Sequence, residues 1–328
     1  MITTPDRCDP ATRRDANHIG DDIMARTIQF TEYGGPEVLR VVDASVPSAE
    51  AGQVRVAVRA AGVNPVDSKI MQGFMRAVMP LDLPAGLGSD VAGVVEQVGP
   101  GVTALHVGDE VMGSSLSPAM SEYALADPVN LIIKPAEISW EVAGSVAGAG
   151  GTAWSVLDRL QLRAGETLLV HAAAGGVGTF AVQLAVARGA RVIGTASERN
   201  FEYLQSIGAE PVRYGDGLLE RVRALAPLGV DAVLDASGRG EIPLSIELAG
   251  GPERVLTLVA FDAADKGIQV FAGGTGDERG PALREIVSLI QEGSLSVPIW
   301  RTFPLEETAA ALQESSAGHL RGKIVVVP

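Results

Sequence analysis

The sequence predicts an α/β fold in two parts, a doubly wound six-stranded sheet and a compact, partly closed β-barrel. Over residues 168–196, a glycine-rich turn joins a short apolar run to a helix-period segment and a second apolar run, which makes one β-turn-α-β unit. Strand-like and helix-like segments alternate after this unit, and short β-rich runs separated by Gly, Pro and acidic residues precede it. The length of 328 residues fits two domains.

The glycine-rich turn of this unit predicts a site for the pyrophosphate of a dinucleotide. Gly175 allows a sharp turn after the strand, and Gly178 allows the next helix to pack against the sheet, although Ala173 replaces the first glycine of the usual pattern. Backbone amides at the start of that helix face an anion, assisted by the helix dipole. The candidate cofactor-binding residues of the turn are Ala174, Gly175, Gly176 and Val177.

The domain order follows from where the two kinds of pattern lie. Residues 1–23 lack periodicity and predict a disordered leader, residues 24–149 and 298–328 predict the barrel, and residues 150–297 predict the sheet domain as an insertion. A helical segment over Ser139–Leu160 marks the junction. The strands predicted for the sheet are Thr167–His171, Arg191–Ala196, Pro211–Tyr214, Asp231–Asp235, Arg254–Val259 and Gly267–Phe271.

Composition excludes several classes of function. The net charge of −14 opposes binding to nucleic acid or to an anionic membrane. The single cysteine, Cys8, excludes a disulfide framework and a Cys-rich metal lobe. No segment has the roughly 18–20 uninterrupted apolar residues of a membrane span, and no secretory pattern opens the chain. We therefore expect a soluble cytoplasmic protein with a small-molecule substrate.

Motifs spread from residue 24 to the C-terminus carry a family resemblance. In order, they are FTEYGGPEVLRV, AAGVNPVDSKI, LGSDVAGVVEQVGPGV, VGDEVMG, AGGTAW, HAAAGGVGTFAVQLA and GKIVVVP. Together they resemble the zinc-independent quinone oxidoreductase branch of the medium-chain dehydrogenase/reductase superfamily. The resemblance implies a GroES-like catalytic barrel, a Rossmann domain, a cofactor in the cleft between them, and a homodimer.

The resemblance also allows the zinc site to be tested on the sequence. Zinc-dependent relatives have a cysteine ligand at the position of Asn64 and His-Glu at the positions of Ser89 and Asp90. Asn and Ser are poor zinc ligands, because tetrahedral zinc prefers Cys, His or carboxylate. Asp67 and Asp90 are interpreted as hydrogen-bonded groups near strand ends. We therefore expect no metal.

The end of the second strand of the sheet domain favours NADPH over NADH. An acidic residue there would accept the adenosine ribose hydroxyls, but Ala196 occupies the position. Ser197 can donate a hydrogen bond and Arg199 can pair with a 2′-phosphate, while Tyr214 resembles a family tyrosine that approaches the same phosphate. Glu198 would favour NADH if it turned inward; the alternative is that Glu198 and Arg199 begin the next helix on the surface.

Two further cofactor contacts are implied by the resemblance. Lys323 resembles a C-terminal basic group that reaches back toward the cofactor, with an ordinary surface lysine as the alternative. Thr152 matches a threonine near the nicotinamide, with a hydroxyl bonded to its own helix as the alternative. Its flanking glycines favour a close approach of the cofactor.

Without zinc, the expected reaction is hydride delivery to an already electrophilic carbon, in a quinone or an α,β-unsaturated carbonyl compound. Asn64 is the candidate catalytic residue, since its amide can stabilise developing enolate charge; alternatively, it only caps a turn before Pro65. Phe74 and Met75 are the candidate substrate pocket, and Met75 stands where many relatives have a tyrosine. The alternative function is a non-catalytic NADPH-binding redox sensor or structural protein of the same fold.

Overall fold

A computed structural model describes residues 23–271, 273 and 279–328, without the side chain of Arg279. Apart from Ile23, the predicted leader lies outside the described residues. The strands are β1 (Met24–Gln29), β2 (Arg40–Ser45), β3 (Val54–Val63), β4 (Asp90–Val98), β5 (Glu110–Ser114), β6 (Tyr123–Ala126), β7 (Leu131–Ile133), β8 (Thr167–His171), β9 (Arg191–Ala196), β10 (Ala209–Arg213), β11 (Ala232–Asp235), β12 (Val255–Thr257), β13 (Gln269–Val270), β14 (Ile299–Pro304) and β15 (Lys323–Val327).

The helices that cover these strands are mostly short. They are α1 (Pro65–Met71), α2 (Trp140–Ala143), α3 (Ala147–Arg159), α4 (Gly176–Ala187), α5 (Phe201–Ser206), α6 (Leu218–Leu225), α7 (Ile242–Ala249), α8 (Arg279–Gln291) and α9 (Thr308–Ala317). Within the described ranges, no helix combines the length and apolar character needed to cross a membrane.

The six-stranded sheet has the doubly wound strand order, which confirms the predicted fold class. Its strands run β10-β9-β8-β11-β12-β13, and every neighbouring pair is parallel. Both faces are buried: Leu168 and Val170 of β8 pack into one apolar cluster, and Leu169 packs into another on the opposite face. The carboxyl ends of β8, β9 and β11 therefore meet at one edge, where ligands bind in sheets of this type.

The barrel combines strands from both ends of the chain. Its sheet runs β14-β15-β3-β4-β5-β7, and β6 also pairs with β3. Strand β15 pairs antiparallel with β3, so that Ile324 lies opposite Val63. The chain thus leaves the barrel, forms the parallel sheet and returns to the barrel with β14 and β15.

The predicted helix at the junction is divided in two. Instead of one helix over Ser139–Leu160, α2 ends at Ala143 and α3 begins at Ala147. Gly144 lies between them against β3, where a Cβ atom would be 2.6 Å from the Ala60 carbonyl oxygen. Helical periodicity alone does not reveal this close approach of the backbones.

Candidate active site

A cleft of about 570 Å³ separates the barrel from the parallel sheet. It collects most of the residues that the sequence singles out. Those that line it are Asn64, Met75, Thr152, Ala174, Gly175, Gly176, Val177, Ser197, Tyr214 and Lys323. Phe74 and Arg199 do not line it.

The glycine-rich turn forms one wall of the cleft, but its strained residue is not the one expected. Gly175 is extended (φ −75°, ψ −179°), whereas Ala172 takes the left-handed conformation with φ +56°. The sharp turn therefore occurs at Ala172. Gly178 is required for packing, since a Cβ atom there would lie 2.3 Å from the Ala172 carbonyl oxygen. The first amides of α4 have no partner within the helix and are available to an anion.

The end of β9 and the loops beside it form the far part of the cleft. Ser197 and Asn200 line it, and the Asn200 side chain donates a hydrogen bond to the Ser197 hydroxyl at 3.4 Å. Tyr214 lies there too, with the guanidinium of Arg239 4.8 Å from its ring centre. Sequence reasoning missed Arg239. The available signal was an arginine between two glycines directly after β11, at the edge where ligands bind.

Glu198 and Arg199 do not line the cleft. Both belong to a short 3-10 turn over residues 198–200, next to the lining residues Ser197 and Asn200. Glu198 forms an ion pair with Arg213 at 3.5 Å, and Arg199 donates a hydrogen bond to the carbonyl of His319. The inward Glu198 that would favour NADH is therefore not observed. Arg199 lies at the border of the cleft through its contact with His319, which lines it, and its pairing with a 2′-phosphate stays a prediction.

A buried polar cluster joins the barrel wall to the last strand. Asn64, Asp67, Asp90 and Lys323 are all at least nine-tenths buried. The Lys323 ammonium donates to Asn64 Oδ1 and, at 3.0 Å, to the Val63 carbonyl oxygen. Asn64 Nδ2 donates to Asp90 Oδ2 at 3.0 Å. The amide of Asn64 is thus held at both ends by charged side chains.

The cluster also perturbs the pKa values of its members. Burial, with a smaller contribution from the charge of Asp90, raises the pKa of Asp67 to about 7, although the Asn64 N–H donates to its carboxylate at 2.8 Å. Burial lowers the pKa of Lys323, and the two carboxylates oppose that change. Within the described residues, Asp90 Oδ1 has no hydrogen-bond partner, which leaves one buried acceptor in the cluster.

Lys323 serves the cleft differently from what was expected. Its aliphatic stem lies against the glycine-rich turn, because a Cβ atom at Gly176 would be 3.2 Å from Lys323 Cδ. Its ammonium, however, points into the barrel toward Asn64. The surface alternative is excluded by its 3% exposure.

The part of the cleft next to α1 is mainly apolar. Val66, Met75 and Phe261 line it, whereas Phe74 is 75% exposed and lies outside the lining. The predicted pocket therefore keeps Met75 and not Phe74. Thr152 lines the cleft from α3, and in the described part of the chain its hydroxyl makes no hydrogen bond to its own helix.

The residues at the zinc position of zinc-dependent relatives do not fit that ion. In the described ranges, His, Cys, Asp and Glu nowhere form a group of three that could hold a metal. Asn64 Oδ1 already accepts from the Lys323 ammonium, which also lies 3.9 Å from Asp90 Oδ2. A cation is thus already present next to the oxygen atoms that would ligate a metal.

Comparison with known proteins assigns the family. Two protein-family models match: an alcohol dehydrogenase GroES-like domain over residues 50–157 and a zinc-binding dehydrogenase over residues 207–326. A quinone oxidoreductase of Pseudomonas aeruginosa is 35% identical over 330 residues, covering 93% of this chain and 100% of that protein. The chain belongs to the quinone oxidoreductase family. This confirms the family resemblance that the motifs carry.

Two further members of the family are informative. The Escherichia coli quinone oxidoreductase complexed with NADPH has a TM-score of 0.84 and 28% identity, covering 93% of this chain and 100% of that one. An NADPH-dependent alkenal/one oxidoreductase of Arabidopsis thaliana is 32% identical, covering 91% of this chain and 78% of that protein. The likeness to the Escherichia coli enzyme therefore extends over both domains.

Proposed function

We propose that this protein is an NADPH-dependent reductase that transfers hydride to a quinone or an α,β-unsaturated carbonyl compound without a metal ion. The observation that carries the proposal is the cleft of about 570 Å³ that has the glycine-rich turn on one wall and the amide of Asn64 on the other. The family assignment supports an oxidoreductase, and the names of the relatives support both substrate classes.

The described residues fit NADPH. Gly178 keeps the start of α4 close to β8, and the amides of that helix start would hold the pyrophosphate. Ser197, Tyr214 and Arg239 would hold the 2′-phosphate. The guanidinium of Arg239 is available for this contact, because no carboxylate in the described part of the chain lies within ion-pair distance of it. When bound, NADPH supplies the hydride.

The residues of the barrel would activate the substrate. Asn64 Nδ2 uses one N–H for Asp90, which leaves the second N–H to donate to the substrate carbonyl oxygen. That hydrogen bond stabilises the negative charge that develops on the oxygen as hydride reaches the conjugated carbon. Lys323 and Asp90 act as positioning residues, because they fix which end of the amide faces the substrate. The product takes its proton from solvent.

A metal is not needed in this scheme, and the donor set supports its absence. The ammonium of Lys323 already supplies a positive charge next to the amide that polarises the carbonyl. Assembly as a homodimer in the cytoplasm is part of the same proposal; size-exclusion chromatography with light scattering tests the dimer.

The proposal is tested by steady-state reduction of an ortho-quinone and of an alkyl enone with NADPH. Deuterium carried on the hydride-bearing carbon of NADPH is expected at the β-carbon of the saturated product. In Asn64→Ala, kcat falls about 10²-fold, as for loss of an oxyanion donor, while binding of NADPH is kept. Gln72→Ala, which removes an exposed amide directly after α1, is the matched control. Stoichiometric zinc in the active protein, or solvent deuterium at the β-carbon, contradicts the proposal; solvent deuterium at the α-carbon is expected.

The alternative is a non-catalytic NADPH-binding protein of the same fold. It predicts that NADPH binds and stabilises the protein against heat but is not oxidised by any quinone or enone. The same assays therefore separate the two functions.

A further inference from the structure

Lys69 lines the cleft with its charge unpaired. The chain has four lysines. Lys134 pairs with Glu110 at 3.0 Å, Lys323 is bound in the polar cluster, and Lys266 lies outside the cleft lining. Throughout the described residues, the Lys69 ammonium has no ion pair and no hydrogen bond; its defined neighbour is the ring of Phe261, whose centre is 5.4 Å away.

The position of Lys69 relates its charge to the reacting group. Asn64 is the N-cap of α1, and Lys69 follows five residues later on the same helix. Asn64 precedes the first turn of α1 and Lys69 lies in its last turn, so the two side chains come from opposite ends of this helix. Both line the same cleft, with the apolar side chains of Val66, Met75 and Phe261. A ligand whose carbonyl contacts Asn64 therefore extends along an apolar wall that carries one cation.

The surroundings of Lys69 favour the binding of anionic ligands. The protein has a net charge of −14, so its overall field repels anions, and an anionic ligand needs a local cation to enter. A lysine ammonium is a compact charge with rotatable donors and accepts a carboxylate, sulfonate or phosphate with little demand on geometry. The aromatic face of Phe261 stabilises the ammonium in the free protein without neutralising its charge.

We infer that the preferred substrate is an amphipathic acid: a quinone or α,β-unsaturated carbonyl compound that carries an anionic group on the part of the molecule that faces Lys69 while its carbonyl contacts Asn64. The anionic group pairs with Lys69, and the carbon skeleton between the two polar ends lies against Val66, Met75 and Phe261. This inference rests on the proposed function and specifies its substrate class.

The test compares two quinones that differ in one charge, ortho-naphthoquinone and its ring-sulfonated derivative. The measured quantity is the ratio of their kcat/KM values with NADPH. In Lys69→Met we expect the preference for the sulfonate to fall about tenfold, which corresponds to about 1.4 kcal/mol. Lys69→Arg keeps most of the preference, and Lys266→Met, the control that removes a lysine outside the cleft, leaves the ratio unchanged. Added salt lowers the ratio in the wild type and not in Lys69→Met.

Two outcomes overturn the inference. One is a ratio that does not change in Lys69→Met. The other is a rise in the KM for NADPH with the ratio kept, because Lys69 would then serve the cofactor. If the wild type reduces neither quinone, the proposed function fails, and calorimetric binding of the sulfonate to the wild type and to Lys69→Met decides the role of Lys69 separately: equal affinities overturn it, and weaker binding by the variant supports it.

Discussion

Replacing Lys323 with Met tests whether the buried cluster depends on its single cation. The change keeps most of the aliphatic stem but removes the ammonium that donates to Asn64 Oδ1 and the Val63 carbonyl. It also leaves Asp90, which is fully buried, without a positive charge nearby. Removing one partner of a buried ion pair costs about 3–5 kcal/mol, and we expect a loss of that size in the free energy of unfolding.

The loss in the free energy of unfolding should be larger at higher pH, because Lys323 affects the pKa of Asp67. The charge of Lys323 is one of the causes that hold down the pKa of Asp67, which is raised by burial to about 7. Without that charge the pKa of Asp67 in the folded variant rises further. Less of the folded variant is then ionised at a given pH, and its free energy of unfolding falls further as pH rises. The deficit is therefore larger at about pH 8 than at about pH 6.

Urea unfolding at both pH values measures the deficit, and two further variants control it. Lys134→Met removes another buried lysine, but its partner Glu110 has a side chain that is 48% exposed and can return to water, so the loss is smaller. The double variant Asp90→Asn/Lys323→Met removes both charges and should recover part of the stability. A deficit below about 1 kcal/mol, or additive losses in the double variant, would refute the reasoning.

Three other predictions concern the cleft and its cluster. Gly178→Ala places a Cβ atom 2.3 Å from the Ala172 carbonyl oxygen, so we expect about 1–3 kcal/mol of destabilisation and weaker NADPH binding. Urea unfolding measures the first effect and fluorescence titration the second. The control Gly151→Ala, whose Cβ atom would meet open space, should be tolerated. Arg239→Ala should lower the ratio of kcat/KM for NADPH over NADH about tenfold, and an unchanged ratio contradicts its role at the 2′-phosphate. Because the pKa of Asp67 is raised from 3.8 to about 7 in the folded protein, its contribution to stability is lost as pH rises through that window. In Asp67→Asn the free energy of unfolding should change less with pH over the same window. If the pH dependence is the same as in the wild type, another group causes it.

Regular patterns allowed the architecture to be predicted from the sequence. The bounds of β8 and β9 match the predicted segments Thr167–His171 and Arg191–Ala196, because each is a β-rich run ended by turn residues. The third strand is shifted: Pro211–Tyr214 was predicted and Ala209–Arg213 is observed. Pro211 is accommodated because β10 is an edge strand, where a missing N–H is tolerated.

The candidate site was harder to predict because it depends on side-chain directions. Periodicity does not say that Arg199 will bond the carbonyl of His319, nor that Arg239 will stack on Tyr214 from a different loop. The ammonium of Lys323 reaches Asn64 across 259 residues of sequence, a contact that no local pattern reports. Tertiary packing decided each of these.

The pairing of β15 with β3 has a consequence for how the protein matures during synthesis. A ribosome makes every strand of the parallel sheet before it makes β15, so the nucleotide-binding part can fold while the barrel still lacks that strand. Until β15 docks, the amide of Asn64 lacks the lysine that orients it. The cleft is complete only when the last strand is in place, because Lys323 and Ile324 of β15 line it.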